Sequence, residues 1–421
     1  MPFSRFVRLA LILGLLSAIG PFAIDMYLPA LPDIGRSLGA PVGAVQWTLT
    51  AFFLSLGFGQ LLYGPVSDMV GRKLPLYGGM ALFLVASVGC ALAGNIETLL
   101  AWRLLQGLGA AAGMAIPRAV VRDLYTGNDA ARMMSLLMLV FSVSPILAPL
   151  VGSGVIAVAG WRGVFWAVAL AAMVGLVLVA TQLKETRPAA QRVESSLGSA
   201  LRAYGVLLRD RHYMGLVLVG GCAMGGFFVY LSSSPFVLIN HYGLTPLQYS
   251  MAFSFNAVAF IGASQFNGAL GERFGLARVV KGAASAAGGV MLLLLAYYLA
   301  GGDSWVVLVA LYFLSSAFMG MVIPTTSVLA LEAHGAIAGT ASALLGTLQM
   351  LSGAVAMGVM GLLGSARPLP MVAGMTVGAL LGVAIAWRTL GGAQQEQPQH
   401  PAGGGSAAPA GKAEPMPQRG V

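Results

Sequence analysis

Twelve apolar segments follow one another along the chain, and each is roughly 20 residues long, the length that crosses a membrane as a helix. They lie at about 7–31, 43–64, 74–94, 98–121, 133–158, 162–183, 212–238, 247–270, 279–300, 304–329, 337–364 and 369–390. The runs are continuous and do not alternate at every second residue, which favours helices over the strands of an outer-membrane barrel. The sequence therefore predicts an all-α integral membrane protein with twelve transmembrane helices.

Charged residues are too few for a soluble protein. They make up 9% of the chain and hydrophobic residues make up 58%, against roughly 25% and 45–50% in globular proteins. A net charge of +9 would suggest a nucleic-acid partner in a soluble chain. Here the basic residues lie mostly in short loops, as membrane topology requires. The expected partner is the lipid bilayer, and no nucleic acid is expected.

The distribution of Lys and Arg predicts the orientation. If the N-terminus is cytoplasmic, the opposite side receives only Arg36, Arg162 and Arg367, and Arg103 stays inside a span. The cytoplasmic group includes Arg72, Lys73, Arg118, Arg122 and Arg132. Such a bias predicts cytoplasmic N- and C-termini in a multi-pass protein of the bacterial inner membrane. The first apolar run is too long for a cleaved signal peptide and is interpreted as a span.

A polar loop between the second and third spans recurs in degenerate form. Residues 64–73 read GPVSDMVGRK, and residues 268–278 read GALGERFGLAR. A second internal repeat pairs GMAIP at 113–117 with GMVIP at 320–324. Two repeats at nearly the same offset predict two homologous six-helix halves, which is the plan of many secondary transporters.

The predicted domain organisation follows from this repeat. The N-terminal six-helix half covers 1–183 and the C-terminal half covers 212–390. A cytoplasmic connector at 184–211 joins them, and its 195–208 portion is expected to form a short amphipathic surface helix. The stretch 391–421 is rich in Pro, Gly, Ala and Gln and is expected to be a disordered cytoplasmic tail.

Asp25 and Arg103 are ionisable residues within the apolar spans. A charge in hydrocarbon is costly, so each should face an interior cavity and find a partner. A carboxyl group shielded from water holds its proton more readily, so Asp25 is the candidate proton carrier. Arg103 would oppose that effect in one conformation and bind substrate or backbone oxygens in another. The alternatives are that Asp25 lies near the outer headgroups and that Arg103 reaches the membrane surface.

Prolines, small residues and aromatic residues within the spans suggest further roles. Span 5 carries the candidate helix-bending residues Pro145, Ala148, Pro149 and Gly152. Several aromatic and polar side chains are candidates for lining a substrate pocket, among them Tyr312. Those selected as substrate-binding are Tyr27, Gln106, Phe141, Tyr230 and Asn256.

The cysteines and histidines give no sign of a metal site or a catalytic centre. Cys90 and Cys222 stand apart in apolar runs, and the four histidines are scattered singly. We therefore expect no metal, no cofactor other than protons as the coupling ion, and no catalytic residues. An enzyme or sensor would need a cluster of reactive side chains or an added soluble domain, so the chain is not expected to be an enzyme.

With these motifs, the chain resembles the major facilitator superfamily, and within it the Bcr/CflA-type drug:proton antiporters. The loop at 64–73 is similar to the superfamily signature, AIDMYLPALP at 23–32 to the span-1 signature of this branch, and RLLQG at 103–107 to a motif linked to proton coupling. Ala148-Pro149 and Gly152-Ser153 match the family's span-5 antiporter motif only in part.

The resemblance implies a conformational latch at the cytoplasmic surface. In such families the loop aspartate docks a neighbouring helix, and the basic residues pair with an acid at the end of span 4. Carried over, Asp68 would hold the outward-facing state and Arg72 would pair with Asp123. The residues of this predicted latch are Gly64, Asp68, Gly71, Arg72, Lys73 and Asp123.

The expected function is export of small drugs, antibiotics or related metabolites by a monomeric proton-coupled antiporter that works by alternating access. The alternative on the same fold is an uptake symporter or uniporter for a small metabolite. A sugar or organic-anion carrier should show more polar or basic residues within its spans than this chain does.

Overall fold

The structure, a computed structural model, describes residues 3–188, 197–334 and 337–391, and every long element in these ranges is a helix. The first group of helices is α1 (Phe3–Asp25), a 3₁₀ turn (Leu28–Ala30), α2 (Leu31–Leu38), α3 (Val42–Val70), α4 (Lys73–Leu92), α5 (Ile96–Leu124) and α6 (Gly127–Gln182). The second is α7 (Leu197–Arg209), α8 (Arg211–Pro235) with a π-helical turn (Phe236–His241), α9 (Pro246–Ser264), α10 (Asn267–Phe274), α11 (Leu276–Leu299), α12 (Trp305–Glu332), α13 (Ala338–Leu363) and α14 (Pro368–Gly391).

Ten helices within the described residues are long and apolar enough to cross a membrane. One of them, α6, has 56 residues and leaves helical geometry at Gly160, where φ is 66°, so it accounts for two spans. The consecutive helices α9 and α10 supply the remaining span. The total of twelve confirms the predicted all-α membrane fold.

The helices pack as two bundles. α1 and α3–α6 pack against one another and form the N-terminal bundle, and α8–α14 form the C-terminal bundle. The bundles meet mainly where α3 packs on α13 and α6 packs on α9, and α3 also contacts α8. We call the end of the molecule that carries α2 the α2 end, and the end that carries the α3–α4 turn and the end of α14 the terminal end.

The internal repeat is visible in the backbone. Gly71 joins α3 to α4 with φ of 97°, and its counterpart Gly275 joins α10 to α11 with φ of 82°. Residues other than glycine rarely adopt such positive φ values, so glycine occupies both turns. The repeated loop therefore makes the same sharp helix-to-helix turn in each bundle.

The second bundle begins with a short helix. α7 occupies Leu197–Arg209, where the sequence predicts an amphipathic helix, and it packs against α8 and α13. Asp210 then caps α8 by accepting hydrogen bonds from the backbone N–H groups of His212 and Tyr213. The other parts of the predicted connector and tail, at 189–196 and 392–421, lie outside the described residues.

Candidate functional site

A cavity of about 400 Å³, which we call the central cavity, lies between the two bundles. α6 borders it on one side, and α8, α9 and α12 border it on the other. Its size is within the range of small-molecule sites. Three of the predicted substrate-binding residues, Phe141, Tyr230 and Asn256, line this cavity, and so do Pro145 and Tyr312. The C-terminal bundle therefore contributes most of the cavity wall.

Stacked aromatic side chains and the amide of Asn256 form one part of that wall. Asn256 donates a hydrogen bond from its amide nitrogen to the Tyr230 hydroxyl over 2.9 Å. The Tyr230 ring stacks on Tyr312 with 3.8 Å between centroids, and Phe253 continues the stack on the other side. The rings hold one another in place, so the Asn256 amide has a fixed position beside the cavity.

Asp25 ends α1 and is buried, with 7% of its surface exposed. The Ser144 hydroxyl on α6 donates a hydrogen bond to its carboxylate over 3.3 Å. Ser144 itself is fully buried. The structure thus places Asp25 inside the protein and joins it to the helix that also lines the cavity.

Arg103 is completely buried in α5 and lies inside an aromatic cage. Its guanidinium carbon is 4.4 Å from the centre of the Tyr27 ring and 4.3 Å from that of Phe52. One guanidinium nitrogen donates to the Gln106 side-chain oxygen over 2.7 Å and to the Ala23 carbonyl over 3.5 Å. The cation is stabilised by aromatic faces and neutral oxygens, and it does not reach the membrane surface.

Tyr27 and Gln106, predicted to bind substrate, support Arg103 and do not line the central cavity. The Tyr27 hydroxyl lies 2.8 Å from the Thr48 hydroxyl oxygen. The Gln106 amide donates to the Ser87 hydroxyl over 2.8 Å. Both side chains are fully buried in the N-terminal bundle, because α5 turns Arg103 and Gln106 towards α1, α3 and α4. Their position differs from the sequence-based expectation.

At the terminal end, Arg72 binds two aspartates. Its guanidinium makes a two-pronged contact with Asp123, with N···O distances of 2.7 and 3.1 Å. A third nitrogen lies 2.7 Å from Asp68 and donates to Ser67. Arg187 also pairs with Asp68. The Arg72 side chain is only 3% exposed, so these contacts are shielded from water and tie α3 to the end of α5.

The start of α4 is held by Glu185, just beyond the end of α6. The backbone N–H groups of Arg72 and Lys73 donate to its two carboxylate oxygens over 2.8 and 3.1 Å. Burial acts to raise the pKa of Glu185, but hydrogen bonds from the backbone N–H groups of Arg187, Arg72 and Lys73 outweigh it and lower that pKa. Lys73 further donates to the Ala180 carbonyl over 3.0 Å.

The two bundles contact each other closely at the α2 end. Gly43 of α3 packs directly on the Gly361 carbonyl of α13, leaving no room for a side chain. Ser250 and Ser254 of α9 donate to the carbonyl oxygens of Pro149 and Ile146 over 2.9 and 2.7 Å. These contacts close the gap between the two bundles at the α2 end.

A third hydrogen-bonded contact supports this closure. Gln46 of α3 donates to the Ser232 carbonyl over 3.2 Å and to the Ser233 hydroxyl over 3.1 Å. Ser232 and Ser233 lie near the end of α8. The α2 end is therefore fastened through α3 as well as through α6.

The predicted helix-bending residues of α6 pack at this closure. The helix continues through Pro145 and Pro149, and its only non-helical residue is Gly160. Ala148 is fully buried. At Gly152, a Cβ atom would come within 2.5 Å of the Met26 carbonyl oxygen. Small residues here allow α6 to approach the end of α1 closely.

Arg118, assigned by charge to the cytoplasmic side, lies inside α5, six residues before the helix ends. Its guanidinium carbon is 5.3 Å from the centre of the Phe141 ring.

Comparison with known proteins identifies the family. The model of the Major Facilitator Superfamily matches residues 13–357. An uncharacterized MFS-type transporter, YdgK, of Bacillus subtilis is 39% identical over 89% of this chain and 94% of its own length. A bicyclomycin resistance protein homolog of Haemophilus influenzae is 27% identical over 89% of this chain and 94% of its own. Multidrug resistance protein D of Escherichia coli is 30% identical over 84% of this chain and 88% of its own.

Solved structures agree on the fold. A bacterial homolog of the human lysosomal transporter Spinster, in an inward-facing and unoccupied conformation, has a TM-score of 0.73 at 15% identity, covering 95% of this chain and 98% of its own. A D-xylose-proton symporter has a TM-score of 0.72 at 15% identity, covering 91% of this chain and 97% of its own. The family resemblance seen in the sequence is thereby confirmed: the chain belongs to the major facilitator superfamily and is a multi-pass membrane transporter of small molecules.

Proposed function

We propose that this transporter exports small drugs, antibiotics or related metabolites across the bacterial inner membrane in exchange for protons. Its relatives include a bicyclomycin resistance protein homolog and a multidrug resistance protein. The cavity between the bundles is mainly apolar and aromatic, and its volume suits a drug-sized compound. Because α6 borders this cavity, a rocking motion of one bundle against the other would change access to it.

The observation that carries the proposal is the position of Asp25. Its carboxylate is buried at the end of α1 and accepts a hydrogen bond from Ser144 of α6. A carboxyl group that is shielded in one state and hydrated in another takes up and releases a proton as the protein alternates. Asp25 would thus carry the coupling proton, while Phe141 and Pro145 on the same helix contact the cargo.

Arg103 supports that role with no ion pair to any of the described residues. It donates to the Ala23 carbonyl, two residues before Asp25, and so ties α5 to the end of α1. Its aromatic cage fixes the guanidinium in the N-terminal bundle. Arg103 would therefore help to position Asp25 through the backbone of α1.

The distribution of basic residues supports cytoplasmic termini. In that orientation the terminal end faces the cytoplasm and the closed α2 end faces outwards, so the described conformation would be inward-facing. Arg72, Asp68 and Asp123 would then form the cytoplasmic latch. Asp68 would dock a neighbouring helix when the protein adopts the outward-facing conformation. One chain contains a cavity, a proton carrier and a latch, which supports a monomeric transporter.

The experiment is resistance profiling of cells that express the chain. We expect raised minimum inhibitory concentrations for a subset of antibiotics, and loss of that resistance when an uncoupler collapses the proton gradient. Each proton supplies about 2.3 kcal/mol per 100 mV of membrane potential if net charge moves. Asp25→Asn should abolish the resistance.

Asp33→Asn is the matched control. Asp33 lies eight residues further along the chain on α2, where it is partly exposed and forms a surface ion pair with Arg36. Both variants should reach the membrane at the wild-type level, but only Asp25→Asn should lose resistance. Full resistance in Asp25→Asn cells would remove Asp25 as the proton carrier.

A further inference from the structure

We propose that the central cavity selects uncharged, ring-containing compounds that carry both a hydrogen-bond donor and an acceptor, and that Asn256 and Tyr312 recognise them. The inference rests on the proposed export function, since it assigns the substrate class of the same cavity. It also adds Tyr312 as a specificity-determining residue. Two features of the cavity wall carry the argument: its charge and its unused hydrogen-bonding groups.

The cavity wall offers no charged partner. None of its described lining side chains is Asp, Glu, Lys, Arg or His. The Arg118 guanidinium carbon lies 5.3 Å from the centre of the Phe141 ring, so a positive charge is close to this part of the wall. A cationic compound would lose its hydration without gaining a carboxylate, and an anion would find no direct donor of positive charge. An uncharged compound avoids both costs.

Most hydroxyl groups on the wall are already satisfied by their own helices. Ser316 donates to the Tyr312 carbonyl over 2.7 Å, and Ser264 donates to the Ile261 carbonyl over 2.7 Å. Tyr230 accepts the hydrogen bond from Asn256. Each of these hydroxyl groups already has one protein partner, so it depends less on a ligand than an unpaired group does.

Among the buried side-chain polar atoms that have no partner within the described residues are the oxygen of Asn256 and the hydroxyl of Tyr312. Both residues line the cavity. An unpaired polar atom in such a place is costly, and a ligand that pairs with it recovers that cost. The Asn256 oxygen accepts a hydrogen bond, so it requires a donor on the ligand. The Tyr312 hydroxyl can donate to an acceptor.

The stacked aromatic rings beside Asn256 and Tyr312 favour a ligand that contains a flat ring. Phe253, Tyr230 and Tyr312 form one continuous stack, with interplanar angles of 15° and 22° between successive rings. Phe227 and Phe141 add aromatic surface to the wall. A ligand with a flat ring would pack against these side chains while its polar substituents reach Asn256 and Tyr312.

The test is binding to the purified protein in lipid nanodiscs, measured with radiolabelled chloramphenicol and with ethidium. Chloramphenicol is uncharged and carries an aromatic ring, an amide and hydroxyl groups, whereas ethidium is a permanent aromatic cation. Tyr312→Phe and Asn256→Leu should each weaken chloramphenicol binding roughly tenfold. Asn256→Asp should weaken it as well and create ethidium binding, because it places a carboxylate in the cavity.

Ser315→Ala is the matched control. Ser315 lies three residues from Tyr312 on α12, and its hydroxyl is also buried without a partner among the described residues, but it does not line the cavity. We expect wild-type chloramphenicol affinity in this variant. Tyr312→Phe removes only a hydroxyl, so it tests the inference even if Asn256 variants fold poorly.

Three results would overturn the inference: chloramphenicol failing to bind the wild-type protein, equal affinities in Tyr312→Phe and wild type, or ethidium binding the wild-type cavity as tightly as chloramphenicol. Failure of the proposed export function has a different signature. In that case binding would follow the expected pattern, but cells would show no resistance that depends on the proton gradient.

Discussion

Ser144 on α6 donates a hydrogen bond to Asp25 at the end of α1 over 3.3 Å. The residues beside Ser144 on α6, Phe141 and Pro145, line the central cavity. One short stretch of helix therefore contacts both the candidate proton carrier and the candidate substrate site. A shift of α6 when the cavity fills would alter the surroundings of Asp25 directly, without a long relay.

Replacing Ser144 with alanine tests this relationship. The hydroxyl group stabilises the ionised form of Asp25, so Ser144→Ala should slow proton-driven export by roughly tenfold, the effect of losing one hydrogen bond to a charged group. Substrate binding should remain at the wild-type level. The measurement is the initial rate of export from vesicles under a fixed pH gradient. Ser142→Ala changes a cavity-lining serine two residues away, and equal slowing in both variants would argue against the link.

The cage around Arg103 predicts that lysine cannot replace it. A lysine ammonium lacks the planar guanidinium group that packs between Tyr27 and Phe52. We expect Arg103→Lys to lower the free energy of unfolding by about 2 kcal/mol and to impair export, as measured by thermal unfolding and vesicle transport. The exposed Arg36 is the control site. An Arg103→Lys protein as stable and active as Arg36→Lys would contradict the account.

The contact between Gly43 and Gly361 predicts a glycine requirement at the α2 end. A methyl group at Gly43 would collide with the Gly361 carbonyl, so Gly43→Ala should shift the population towards conformations open at this end. Spin labels at positions 36 and 367, on opposite bundles, would report a longer distance. Gly346→Ala changes a glycine of α13 that faces open space. Unchanged label distances in Gly43→Ala would show that the closure tolerates a side chain.

Glu185 predicts a pH-dependent contribution to stability. Its pKa is lowered in the folded protein because backbone hydrogen bonds to its carboxylate outweigh the effect of burial. The ionised form is therefore favoured by folding, and the stabilisation is complete above the ordinary glutamate pKa of about 4.3 and lost as the pH falls through the lowered value.

Glu185→Gln should thus unfold at a lower temperature than wild type at pH 7, and the difference should shrink below about pH 4.3. Thermal unfolding of the purified protein across this pH range is the measurement. Glu332→Gln, at the exposed end of α12, is the control. A difference that grows as the pH falls would have the wrong sign for this explanation.

Local patterns were sufficient for the architecture. The spans follow from hydropathy, because a helix in lipid must satisfy its own backbone and cover itself with apolar side chains. Asp25 and Arg103 were identifiable because ionisable residues are rare within spans. Family resemblance predicted that Arg72 would meet Asp123, and the structure places their side chains 2.7 Å apart.

The residues that line the cavity were harder to predict from the sequence. Tyr27 and Tyr230 look alike in sequence, but only the latter lines the cavity, because the face that a helix turns inwards depends on its packing. Ser144, Ser250 and Ser254 carry no motif, and their roles emerge only when α6 is seen against α1 and α9.

The central claim is exchange of substrate for protons through Asp25, and proton flux evoked by substrate tests it most directly. Purified protein is reconstituted into liposomes that contain a pH-sensitive dye, and chloramphenicol is added outside. Antiport predicts that the lumen becomes more alkaline with the wild type and with Asp33→Asn, and that Asp25→Asn gives no signal. Acidification of the lumen would indicate symport, and an unchanged wild-type signal would indicate uncoupled transport or none; either result contradicts proton-coupled export.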